Sequence, residues 1–193
     1  MRTRLGLAVV LAAVLGCSGG DVTLDVDVLS FLNDAGQSAD PGTDYAVLVP
    51  PTGVIVQDVE IVAPRSITLV DAIDDLTRVR EGSLTYRLEA VNREGRADAT
   101  FQVRFAATAE GLDDASAVAS AIDLALWPDS TTVADGTIDL SETIVEAFAN
   151  EVVWMAIEAD LRVMPAQVIG DSLAGRFWLR ALDVRIVADE EFF

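Results

Sequence analysis

Beyond residue 20 the side chains alternate between apolar and polar over most of the chain, and this period of two admits little besides a sheet. In an extended strand successive side chains point to opposite faces, so alternation marks a strand with one face buried and one wet. Val22, Leu24, Val26 and Val28 alternate with Thr23, Asp25 and Asp27. Leu84, Tyr86, Leu88 and Ala90 alternate with Ser83, Thr85, Arg87 and Glu89, and Ala97, Ala99, Phe101, Val103 and Phe105 with Asp98, Thr100, Gln102 and Arg104. The fold class is therefore all-β: an antiparallel two-sheet β-sandwich with one or two short helices, in two hairpin-containing halves.

Asn92 to Gly95 reads as the turn of the clearest hairpin, between the segments 84–90 and 97–105. Before it, Asn33 to Asp44 holds Gly36, Pro41 and Gly42 and reads as an exposed loop. Strand-like segments follow at Tyr45 to Val49, Val54 to Val62 and Ser66 to Val70. Asp71 to Val79 predicts helical turns, with Asp71 as cap and Ile73, Leu76 and Val79 inward. Ser116 to Trp127 suits a strand at its even positions, and its alanines equally allow a helix. Leu140 to Asn150 predicts a second helix, capped by Ser141 and carrying Ile144, Val145 and Phe148 as its apolar stripe. Long strands follow at Val152 to Val163 and Leu173 to Val187, joined by 165–171 as a second hairpin-like unit. The order helix, long strand, turn, long strand thus occurs twice, over 71–107 and 141–187, as a weak internal duplication.

A chain of 193 residues that is 51% hydrophobic and 23% charged suits one globular domain with a core large enough to fold without covalent staples. Its charge is one-sided: 32 acidic residues against 13 basic ones, all Arg, with Lys and His absent. Binding nucleic acid or anionic headgroups needs a cationic footprint, so no nucleic-acid partner is expected. Solubility explains the acidity more simply than a dedicated cation site.

Met1 to Arg4 is a short basic segment, and an uncharged apolar run follows from Leu5 to Leu15. Its 11 residues are too few to span a hydrocarbon core of ~30 Å at ~1.5 Å per residue, as expected of an export signal and not a membrane span. The run ends Val14-Leu15-Gly16-Cys17-Ser18-Gly19-Gly20, and Cys17 is the only cysteine. This segment resembles the lipobox of bacterial lipoproteins, with an aliphatic residue three positions before the cysteine and a small one immediately before it. It departs from the commonest form in having Leu15 where Ala or Ser is usual.

The resemblance implies cleavage before Cys17, a diacylglycerol on its thiol and often a further acyl group on the new amine. Each buried methylene is worth ~0.8 kcal/mol, and stable anchoring needs more than one chain. It implies a signal peptide at 1–16, a lipidated cysteine and short tether at 17–20, and a single β-sandwich domain at 21–193. Ser18 in place of Asp implies the outer membrane in familiar Gram-negative species. With Arg2 and Arg4 removed, 11 basic residues would face 32 acidic ones, a net charge of −21. The tether Ser18-Gly19-Gly20 reaches about 10 Å, which sets the domain close to its membrane.

Without His or Lys the chain can form no Ser-His-Asp triad, Cys-His pair, imidazole zinc site, Schiff base or lysine-bearing phosphate loop. Carboxylate chemistry remains. Glu158 and Asp160 share one face of a strand, at the spacing that paired-carboxylate glycoside hydrolysis uses; any solvent-facing strand, such as that of Asp25 and Asp27, gives the same geometry. Asn33, Asp34, Asp40 and Asp44 offer oxygen ligands for calcium, but lack the EF-hand spacing and read more simply as a solvated loop. Trp154 and Trp178 are expected in the core, Trp127 precedes Pro128 at a strand end, and Phe192-Phe193 follows Asp189-Glu190-Glu191. No catalytic, cofactor-binding or metal-ligating residue is assigned; the assigned site is lipidation at Cys17. The expectation is a non-enzymatic, lipid-anchored cell-envelope protein that binds an envelope partner or builds the surface. The alternative is a carrier of a lipid or other hydrophobic ligand in a cavity between the sheets, and the state of the interior separates the two.

Overall fold

The computed structural model describes residues 21–34, 42–49, 52–69, 76–165 and 172–190. Nine strands appear among them: β1 (Asp21–Asp27), β2 (Gly42–Leu48), β3 (Ile55–Thr68), β4 (Leu76–Glu94), β5 (Ala97–Ala106), β6 (Val118–Leu126), β7 (Ser130–Asp139), β8 (Val152–Val163) and β9 (Ser172–Glu190). Two short helices, α1 (Val28–Asp34) and α2 (Glu142–Ala147), and two 3-10 turns (Glu110–Asp113 and Ala115–Ala117) complete them. One sheet of five strands runs β1-β9-β4-β7, with β2 also on β9; the other, of four, runs β3-β8-β5-β6. All pairings are antiparallel, and the two sheets pack as the expected all-β sandwich.

The alternation identified the strands, but the pairing differs from the hairpins expected of it. Segments 84–90 and 97–105 do not pair with each other: β4 pairs with β7 and β9, and β5 with β6 and β8 in the opposite sheet. The intervening residues form an arch that carries the chain across the core. Gly95 makes the crossing at φ 75°, a conformation that costs other residues a steric penalty. Likewise β8 and β9 lie in different sheets. The two long-strand units pair between themselves, β4 with β9 and β5 with β8, so each contributes one strand to each sheet.

Other boundaries move for local reasons. β1 ends at Asp27, whose carboxylate accepts a hydrogen bond from the Ser30 amide at 3.0 Å while its carbonyl accepts one from the Ser30 hydroxyl at 2.9 Å. This N-cap starts α1, so Val28, expected as the strand's last inward residue, is buried as the helix's first. β1 and β2 lie along the same edge of β9, at Asp183–Asp189 and Ser172–Trp178, and α1 separates them. Segments 54–62 and 66–70 are one strand, β3, with register shifts between Glu60 and Val62 and between Val62 and Arg65, where Pro64 falls. Such a break at proline is tolerated on an edge strand. The helix expected over 71–79 is replaced from Leu76 onward by β4, which pairs as far as Glu190; residues 70–75 lie outside the described residues. The ambiguous 116–127 segment is a 3-10 turn leading into β6, and β7 was not foreseen. α2 forms as expected, with Ser141 at the cap position, though its hydroxyl makes no capping bond.

The core lies between the sheets. Phe101 and Phe177 meet edge to face at 4.7 Å, Tyr45 stacks on Phe177 at 4.4 Å, and Phe148 after α2 tilts against Phe105 at 5.2 Å. Trp154 and Trp178, expected in the core, face away from it. Trp154 packs on a small outer cluster of Ala106, Leu112, Ala117 and Ala156, and Trp178 lies against the guanidinium groups of Arg176 and Arg180 at 4.5 and 4.3 Å. In both strands the inward positions are those one residue away, at Val153, Met155, Phe177 and Leu179.

Candidate functional site

Cys17 and its tether lie outside the described residues; β1 begins four residues after Cys17, at Asp21. Phe192-Phe193 and Asp40 are outside them as well. Of the expected calcium ligands, Asn33 and Asp34 end α1, while Asp44 lies within β2 with Arg176 Nη1 at 3.7 Å from its carboxylate. Among the described residues no group of three or more carboxylates or other metal-ligating side chains is arranged to hold an ion.

Glu158 and Asp160 do come together with other groups, through the register of the four-stranded sheet. On its outer face Asp160 stands opposite Asp58 on β3 and Thr100 on β5, and Glu158 opposite Glu60 and Gln102. Gln102 donates to Asp160 Oδ2 at 3.3 Å, and Thr100 donates to Asp123 Oδ1 at 2.7 Å. Arg104 binds Glu158 Oε1 at 2.8 Å, the Leu112 carbonyl at 3.0 Å and Gln102 Oε1 at 2.6 Å, tying the 3-10 turn to the sheet. Burial raises the Asp160 pKa above the ordinary carboxylate range; its hydrogen bond to Asp58 and the charges of Asp58 and Glu158 add to this, and Arg104 opposes it.

A second acidic group occupies the outer face of the five-stranded sheet. Arg185 grips Asp25 through Nε at 2.7 Å and Nη2 at 3.3 Å. Asp183 beside them has its pKa raised, first by burial and then by Asp27 and Asp25. Thr85 and Thr137 share a hydrogen bond of 2.9 Å on the floor of this groove. Both acidic groups are open arrays on sheet faces, each with an arginine of the chain itself against one of its carboxylates.

At the arch end of the sandwich a buried polar group appears that sequence reasoning missed. Asn92 is 1% exposed. It accepts the Tyr45 hydroxyl at 2.9 Å and donates to the carbonyls of Gly95 and Trp127, both at 2.9 Å. Burial pushes the Tyr45 phenol's pKa up. Trp127 is 49% exposed, with the Arg96 guanidinium 3.9 Å from its ring centre. Nothing in the alternation distinguishes Asn92 from an exposed turn residue, and Asp58 becomes Asp160's neighbour only through strand pairing.

No protein-family model matches the chain, and no curated protein matches it. Among solved structures it is similar to one of infectious bursal disease virus Gx strain, at TM-score 0.33 and 10% identity over 98% of this chain and 43% of that one. A second, of the Gt strain of the same virus, gives TM-score 0.31 and 9% identity over 80% of this chain and 39% of the other. The chain thus spans less than half the length of either, and likeness at this level carries no argument about fold or activity.

Proposed function

We propose that this chain is a lipid-anchored protein of the cell envelope, in the outer membrane, whose sandwich binds another envelope component or forms part of the surface without catalysing a reaction. The observation that carries the reading is the apolar run Leu5 to Leu15 closing on Val14-Leu15-Gly16-Cys17, four residues ahead of the first strand. A net charge of −19 disfavours nucleic acid and suits a solvated surface domain.

The filled interior favours binding at the surface over the carrier alternative. Leu84, Leu88, Phe101, Ile157, Leu161 and Phe177 are all buried between the sheets, where a carrier needs an unfilled apolar cavity. Cell fractionation of the wild type and of Cys17→Ser tests the reading. The wild type is expected in the membrane fraction and the variant in the soluble fraction, with no lipid retained. Equal distribution of the two would refute the anchor, and lipid held by the soluble variant would favour the carrier.

A further inference from the structure

We propose that the first half of β3, from Val54 to Glu60, is a docking edge for an extended, cationic segment of a partner protein, which adds to the four-stranded sheet as its next strand. The inference rests on the binding reading above and not on the lipid.

Packing sets β3 apart from its neighbour. Among the described residues it is the terminal strand of its sheet, and from Ile55 through Ser66 it contains no fully buried residue, whereas Ile157, Ala159 and Leu161 on β8 beside it are completely enclosed. Ile55, Val59 and Ile61 pack on the core from one side only. Apolar side chains also stand out here: Val54 is 44% exposed, Val56 67%, and Leu48 at the end of β2 79%. Surface valines on an unpaired edge invite strand addition, which edge strands ordinarily resist with prolines, bulges and inward-pointing charges.

This chain places those defences elsewhere. Pro64, both register shifts and the inward-facing Arg65, which pairs with Met155 and whose buried Nε has no acceptor among the described residues, all follow Glu60. The opposite edge of the sandwich, β7, presents Thr131, Asp135, Thr137 and Asp139 outward, with Val133 as its exposed large apolar residue. The β1 and β2 edge is interrupted by α1. Val54 to Glu60 carries no proline, register shift or inward-pointing charge, and the charges it exposes, Asp58 and Glu60, are both acidic.

Charge selects the occupant. Asp58 stands directly opposite Asp160, and Glu60 opposite Glu158, and like charges directly opposed across a strand pair destabilise a sheet. Basic side chains on the outer face of an added strand would lie beside Asp58 and Glu60 and relieve both pairs, while the apolar side chains of its other face cover the half-buried Ile55 and Val59. A second copy of this chain would bring further carboxylates to the same place, so the geometry points to a basic partner. Backbone pairing would supply affinity and the side-chain pattern specificity.

The test uses the membrane-extracted full chain and an end-blocked octapeptide of alternating Arg and Val, with a Glu-Val peptide as control. Backbone hydrogen exchange is expected to slow about tenfold at Ile55–Glu60 with the Arg peptide at about 1 mM, and binding of the Glu peptide to be at least about tenfold weaker. Asp58→Lys with Glu60→Lys, both at exposed positions, should reverse the preference between the peptides. No protection by the Arg peptide, protection centred on Ser130–Asp139, or an unchanged preference in the double variant would overturn the proposal. So would protection of Val54–Glu60 by neutral phosphatidylcholine vesicles, which would assign the valines to a bilayer. Failure of Cys17→Ser to leave the membrane bears on the anchor alone and leaves these outcomes readable.

Discussion

Asn92 fixes one end of the molecule by joining residues far apart in sequence: the Tyr45 hydroxyl from β2, the Gly95 carbonyl of the arch and the Trp127 carbonyl after β6. Asn92→Ala removes the acceptor of the buried Tyr45 hydroxyl and the side-chain donor to the Gly95 carbonyl, while the Trp127 carbonyl keeps the Ser130 hydroxyl, and each buried polar group left without a partner costs about 1–3 kcal/mol. A loss of at least about 2 kcal/mol in urea unfolding is expected, against about 1 kcal/mol for Tyr45→Phe, which keeps the ring stacked on Phe177. Equal, negligible losses would show that this end is open to water. Gly175 is needed on the same ground, since a Cβ there would strike the Tyr45 hydroxyl and the Val91 carbonyl. Asp160 behaves in the opposite sense. Its raised pKa means that the folded chain keeps a proton the unfolded chain has lost, so its contribution to stability falls as pH rises from the ordinary carboxylate value through the raised one. Asp160→Asn should stabilise the protein at neutral pH by about 0.5 kcal/mol, a modest figure because solvent screens a partly exposed group. The gain should vanish near about pH 3, where both states are protonated; a gain that persists there would refute this cause.

At the scale of elements, β9 shows what alternation can and cannot convey. Leu173, Phe177 and Leu179 face the core at odd positions, then Leu182, Val184, Ile186 and Ala188 at even ones. The change of parity falls at Arg180, where the register with β4 passes from Leu179 opposite Leu88 to Ala181 opposite Arg87. One extra residue in a strand is a β-bulge, and here it keeps the apolar side inward over 19 residues. Deleting Arg180 should turn one half of β9 outward and abolish the cooperative thermal transition in circular dichroism; a transition within a few degrees of wild type would contradict the bulge's role. This parity change can be read directly from the order of Leu, Phe, Val and Ile, as can α2 and most of the strands, though not β7 or the first residues of β4. Pairing partners cannot, because alternation states which side of a strand is buried and says nothing about its neighbour. The turn-like residues Asn92 to Gly95 suit an arch between sheets as well as a hairpin within one. Asp58 and Asp160 are about a hundred residues apart in sequence, and only the register of β3 on β8 makes them neighbours.

For the whole molecule, charge and polarity of placement matter most. A formal charge of −21 on the sandwich, 11 basic against 32 acidic residues without Arg2 and Arg4, repels itself, and salt screens that repulsion as the Debye length falls from ~10 Å at 0.1 M to ~3 Å at 1 M. The urea midpoint should therefore rise with NaCl, and a fall would show that the ion pairs outweigh the repulsion. The two ends of the sandwich also differ. Asp21, the residue nearest Cys17, pairs with Asp189 at one end, and β4 and β9 of 19 residues each run about 60 Å to the other, where Leu48, Val54, Val56 and Trp127 are exposed. In a protein anchored through Cys17, those apolar residues occupy the end opposite the tether, available to a partner. The anchor is the claim on which this placement depends, and the intact mass of the N-terminal fragment of the membrane-extracted protein tests it most directly. The account predicts a fragment that begins at residue 17 and carries the added mass of acyl chains. A fragment that begins at Met1, or one that begins at residue 17 with an unmodified thiol, would contradict it.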